Sequence, residues 1–188
     1  PYIKSTDELV NKWHRLISEE RRPVIGINWN GNRKDRAKNS RNVPIKYFEK
    51  IAKRNDCTFI SLQRGSHNAD VEKICTNPAE FKFQTEITRI SDSDRSEDFA
   101  EYTAIIANCD LVITTATTVA HISAGIGIPT WILLENIPDW RWGMEGETSF
   151  WYPTAKLFRQ KHLGKWEEPL EQMSEEFDNY LENLRPLL

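Results

Sequence analysis

Residues 114–118 are Thr, Thr, Ala, Thr and Thr, four hydroxyls with nothing bulky among them, and His121 follows within one helical turn. Placed where a strand gives way to a helix, such a stretch makes an anion site. The first backbone N–H groups of a helix have no partner within it, and its dipole puts roughly half a positive charge there. A ring nitrogen of His121, one turn in, can turn toward the same anion. Thr115, Thr117, Thr118, Val119 and His121 are therefore candidate ligand contacts, and a diphosphate is the ligand this chemistry suits.

Other motifs are absent or incomplete. Gly26 and Gly31 are spaced like P-loop glycines, but Asn32 and Arg33 stand where Lys and Ser or Thr should follow. No GxGxxG is present, which argues against an ordinary NAD-dependent dehydrogenase. Neither GxSxG, HExxH nor a paired-carboxylate spacing is readable, so no general base stands out. Asp92-Ser93-Asp94 spells DxD, yet it precedes a helical segment where Asp and Ser are expected as caps, and no metal is expected. Arg33, Lys34, Arg36, Lys38 and Arg41 form a basic loop whose bland reading is a solvated surface. Gly31 and Asn32 mark a tight turn after the first strand, and Gln63 and Arg64 a loop after the second. Ligands of open α/β sheets bind outside the carboxyl ends of strands, so these four join the candidates.

The elements that must position these residues follow from periodicity. Residues 111–114 and 130–134 are short β-branched apolar runs. Between them Val119, Ile122, Ser123 and Ile126 recur at helical spacing, with Gly125 and Gly127 as the stop and Pro129 barring continuation. That is a βαβ unit, the building block of parallel sheets. Further strands are expected at 23–29, 57–62, 81–84, 87–90 and 155–159. Helices are expected over 6–20, capped by Ser5 or Thr6, from Pro44, over 99–108 and after Pro169. The fold class is α/β, a Rossmann-like three-layer sandwich with a mostly parallel sheet. The aromatics of 140–152 are expected to pin their long connection onto the core, the alternative being indole faces that stack on sugars.

A chain of 188 residues fits one domain, 1–188, with a lead-in helix over 1–22 and a terminal helix over 165–188. Three cysteines without a CxxC pair indicate neither a disulfide framework nor a zinc site, and a reducing cytoplasm is the simplest setting. A net charge of -3 gives no general attraction for nucleic acid, and no apolar run approaches a membrane span. The chain begins at Pro1 without a methionine, and is expected to be a piece of a longer protein.

The strand, the Thr-rich turn, Val119-Ala120-His121 and the small-residue run to Gly127 and Pro129 resemble the nucleotide-sugar site of family 9, heptosyltransferase-like glycosyltransferases. The likeness continues through residues 137–142 (IPDWRW), 151–153 (WYP) and 157–160 (LFRQ), and is nearest to the bacterial members in which such a domain follows tetratricopeptide repeats. The resemblance implies the C-terminal, donor-binding half of a GT-B fold, with an N-terminal domain supplying the general base and a protein or glycan as acceptor. It places Arg41, in Arg41-Asn42-Val43-Pro44, on the donor diphosphate, and Gln63 and Arg64 near the nucleotide. It also places the turn at Asp98-Phe99-Ala100 near the base. No cofactor is implied beyond the nucleotide sugar as substrate. One departure matters: many members carry an acid in the strand-to-helix turn, against the donor sugar, where this chain has Ala116. A different sugar, a silent scaffold attached to repeats, or another nucleotide-binding enzyme such as an epimerase on the same scaffold are the readings this leaves open.

Overall fold

The computed structural model describes residues 1–18, 20, 23–31, 41–52, 56–63, 87–88 and 99–184. Among these residues, six strands form one sheet: β1 (Val24–Asn28), β2 (Thr58–Ser61), β3 (Ile87–Thr88), β4 (Leu111–Thr115), β5 (Thr130–Leu134) and β6 (Ala155–Arg159). Their order is β3-β2-β1-β4-β5-β6, and every pairing between them is parallel. The expectation of a mostly parallel sheet is thus sharpened. The only antiparallel element among the described residues is a bridge from Thr148 to Lys156 at the β6 edge. Strand order reverses between β1 and β4, and in doubly wound sheets that reversal opens a crevice at the carboxyl ends.

Buried strands of a parallel sheet read as continuous apolar runs because both faces are covered. On one face Ile25, Ile27, Phe59, Leu111, Ile113, Trp131, Leu133 and Phe158 meet a 3-10 helix (Ile45–Lys50) and the C-terminal helix. On the other, Val24, Ile60, Leu62 and Val112 meet three helices: α1 (Asp7–Ile17), α2 (Phe99–Ile106) and α3 (Thr118–Ile126). The C-terminal helix α4 (Glu167–Leu184) lays Leu170, Met173, Phe177 and Leu181 on the first face. The three-layer sandwich is what the periodicity predicts.

Several expectations are corrected in detail. The helix expected from Pro44 is a 3-10 segment. Ile45 and Phe48 are its buried residues, and an i, i+3 pair is what a three-residue turn keeps on one side. Of the two expected caps, Thr6 caps α1, which packs through Trp13 and Ile17 against α2 in the layer over the Val24 and Ile60 face. Gly26 lies inside β1. A Cβ there would lie 2.5 Å from Leu62 Cδ1, so glycine is required for close packing inside β1. The strand expected at 81–84 and the acidic segment 91–98 lie outside the described residues.

Candidate functional site at the carboxyl edge of the sheet

At the carboxyl ends of β1 and β4, polar residues close apolar strands. Asn28 closes β1, 3% exposed, and its Oδ1 accepts from the hydroxyls of Thr114 (3.2 Å) and Thr117 (3.0 Å). Thr117 is the N-cap of α3 by its extended backbone, yet its side chain makes no capping bond. The hydroxyl that would satisfy a free N–H of the first turn is instead tied to Asn28, so the helix start keeps its anion-binding capacity. Gly31 lies beside this cap: a Cβ on it would stand 3.7 Å from Thr117 Cγ2, and its N–H donates to Asn42 Oδ1 at 3.1 Å.

Arg41 reaches the same turn from a distant part of the chain. Its Nη1 donates to the carbonyl of Ala116 at 3.5 Å, and its Nε pairs with Glu135 Oε1 at 2.8 Å. Glu135 follows the last residue of β5 and is 4% exposed, so this is a largely buried ion pair at the rim of the sheet.

His121 sits one turn into α3. Its Nδ1 lies 2.9 Å from the Tyr152 hydroxyl, and the ring stacks on Trp142 with centroids 5.0 Å apart at 24°. Burial, then the positive charge of Arg141, with a smaller contribution from Arg41, lowers its pKa below the ordinary 6.5, against the opposing charge of Asp139. Burial and the Tyr2 hydroxyl push Tyr152 up to about 12, so the phenol stays protonated beside the imidazole. With Nδ1 committed to Tyr152, Nε2 is the nitrogen left to meet a ligand.

The predicted candidates separate on this geometry. Thr117, Thr118, His121, Gly31 and Arg41 gather around the start of α3, with Thr118 exposed. Val119 buries its side chain in the core and offers only its backbone. Thr115 is fully buried, its hydroxyl without a partner. Gln63 turns inward. It is buried, its Oε1 accepts from Asn28 Nδ2, Trp29 N and Asn30 N (3.1, 3.3 and 3.0 Å), and its Nε2 donates to Asn30 O at 3.2 Å. It shapes the turn after β1, where its amide oxygen and nitrogen are both bonded. Asn32 and Arg64 lie outside the described residues. Asn28 and Glu135 were missed, although a lone polar residue ending each apolar run, after Ile27 and after Leu134, was there to be read. Among the described residues no group of three or more His, Cys, Asp or Glu is placed to hold a metal ion, and no helix is long and apolar enough to cross a membrane.

No protein-family model matches the sequence, and no curated protein matches it either. Solved structures do. The chain is similar to the glycosyl transferase family 9 protein from Veillonella parvula DSM 2008, at 15% identity and a TM-score of 0.60 over 94% of this chain and 53% of that one. It is similar also to the E. coli ADP-heptose LPS heptosyltransferase II, at 14% identity and a TM-score of 0.65 over 98% of this chain and 54% of that one. The fold is that of family 9 glycosyltransferase structures, and the chain spans about half the length of each.

Proposed function

We propose that this chain is the nucleotide-sugar binding domain of a metal-independent glycosyltransferase, and that it stabilises the nucleoside diphosphate as it leaves. The observation that supports the reading is Arg41, carried across the fold to the carbonyl of Ala116 at the turn where α3 begins. As the anomeric C–O bond breaks, negative charge grows on the diphosphate. The N–H groups of α3, the guanidinium of Arg41 and Nε2 of His121 meet that charge with dipoles already in place. Losing one such contact typically costs about 10²- to 10³-fold in rate. The acceptor, the general base and any association with repeats belong, on this proposal, to parts of a longer cytoplasmic protein.

Ala116 favours a second reading. Its buried side chain packs with Ala120 and Ala124 and leaves the turn without an acid, as in a scaffold that keeps the fold without the chemistry. Isothermal titration with UDP, ADP and GDP in the presence of EDTA separates the two. Saturable binding of one nucleotide, weakened about tenfold by Arg41→Ala, is expected. No binding of any of the three sinks the donor-site reading and leaves the scaffold.

A further inference from the structure

Two buried side chains at the ends of β5 and β6 have complementary unused capacity. Glu135 and Gln160 are 4% and 3% exposed and lie beside one another: Leu134 is in register with Arg159, and the N–H of Gln160 donates to Leu134 O at 2.9 Å. Glu135 Oε1 is held by Arg41, while Oε2 has no partner. Gln160 Oε1 accepts from the N–H of Gly164 at 3.2 Å, which fixes the amide's orientation and leaves Nε2 without a partner. One is an acceptor only and the other a donor only. A buried polar atom left unpaired is costly, and natural interiors rarely tolerate two adjacent ones without a use. A hydroxyl satisfies both at once, donating to the carboxylate and accepting from the amide.

The position of the pair says which hydroxyl. Both residues line one end of an open cleft of about 880 Å³ that runs along β6 and α4, past Lys156, Gln172 and Glu176. The Arg41 guanidinium touches Glu135 with Nε and the Ala116 carbonyl with Nη1, so one side chain spans from the phosphate end of the site to this pair. Neighbouring strands stand about 4.8 Å apart, so a ligand anchored after β4 reaches β5 and β6 with the group attached to its phosphate. Thr115 is in register with Leu133, which puts its unpartnered hydroxyl on the Glu135 face of the sheet, one row behind. We propose that Glu135 and Gln160 read a hydroxyl of the donor sugar, supplying from β5 and β6 the hydrogen-bond acceptor that Ala116 does not supply from the turn. This rests on the donor-site reading above.

The test compares each nucleoside diphosphate with its sugar conjugate: UDP with UDP-glucose, ADP with ADP-glucose, GDP with GDP-mannose. The chain is titrated alongside Glu135→Gln and Gln160→Leu, with thermal melts to confirm folding. Glu135→Gln keeps an oxygen for Arg41 but turns the free acceptor into a donor. The expected result is that the unaltered chain binds one conjugate more tightly than its parent diphosphate, and that each variant weakens that conjugate about tenfold while the diphosphate stays within about threefold. Equal affinity of the unaltered chain for conjugate and diphosphate overturns the inference and spares the donor site, as does a loss that is equal for both ligands or absent in the variants; the pair then holds only water. Failure of the unaltered chain to bind any ligand overturns both. Should Glu135→Gln not fold, Gln160→Leu carries the comparison alone.

Discussion

Burial and the proposed anion pull His121 in opposite directions. Its pKa is lowered by desolvation and by Arg141, so between that lowered value and 6.5 the unfolded chain takes up the proton more readily than the folded one. The stability tied to neutral His121 is therefore present above about 6.5 and lost as pH falls through the folded value. An anion at the start of α3 reverses the preference, because it favours the imidazolium. Diphosphate binding then takes up a proton, and affinity should rise about three- to tenfold between pH 7.5 and 5.5. Titrations at several pH values, set against His121→Ala to subtract the nucleotide's own protonation, measure this. If the two proteins show the same pH slope, His121 is not in contact with the anion and its bond to Tyr152 is its whole role.

At the scale of elements, what repeats is what was legible. The βαβ unit of β4, α3 and β5 falls where the periodicity of 111–134 puts it, because a buried parallel strand and an amphipathic helix each leave a local signature. Long-range pairing leaves none. Nothing near Gln63 announces that its amide is spent on the Trp29–Asn30 turn, and nothing near Arg41 announces Glu135, since both partnerships are made by the sheet order. The aromatic connection divides for the same reason: Trp142 and Tyr152 pack with Ala120 and Leu157 in the core, while Trp140, Phe150 and Trp151 are 70, 91 and 54% exposed. The end of α3 is a case where a local signal is decisive. Gly127 closes the helix at φ 99°, its N–H bonding to Ser123 and Ala124 carbonyls, and a Cβ there would also lie 2.9 Å from Pro1 Cγ. An L-residue in that left-handed geometry costs about 1–2 kcal/mol. Gly127→Ala should therefore lower the unfolding free energy measured in urea by about that much, and with it the midpoint, and Gly127→Asn by less. An unchanged midpoint in Gly127→Ala would mean that the helix end reorganises without cost.

For the molecule as a whole, the sheet collects the ends of β1, β4, β5 and β6 along one rim, and the polar residues Asn28, Thr117, Glu135 and Gln160 stand in that order across it. On the proposed reading, a ligand laid along such a rim would be held by its charge at one end and read by its hydroxyls at the other, which is binding and leaving-group stabilisation but not nucleophile activation. Among the described residues of that rim, Glu135 is committed through Oε1 to Arg41, and His121 through Nδ1 to Tyr152. On the proposed reading the remaining atoms, Glu135 Oε2 and His121 Nε2, are taken by the donor, so neither is left as a base for an acceptor hydroxyl. The chain should accordingly bind a nucleotide sugar without consuming it. Incubated with the conjugate that titrates most tightly, it should release nucleoside diphosphate no faster than the protein-free solution, as followed by ion-exchange chromatography. Release at catalytic rates would place the base within these 188 residues. His121, the titratable ring in the first turn of α3, would then be the residue to replace first, and loss of turnover in His121→Ala with binding intact would move it from the leaving-group side of the reaction to the base.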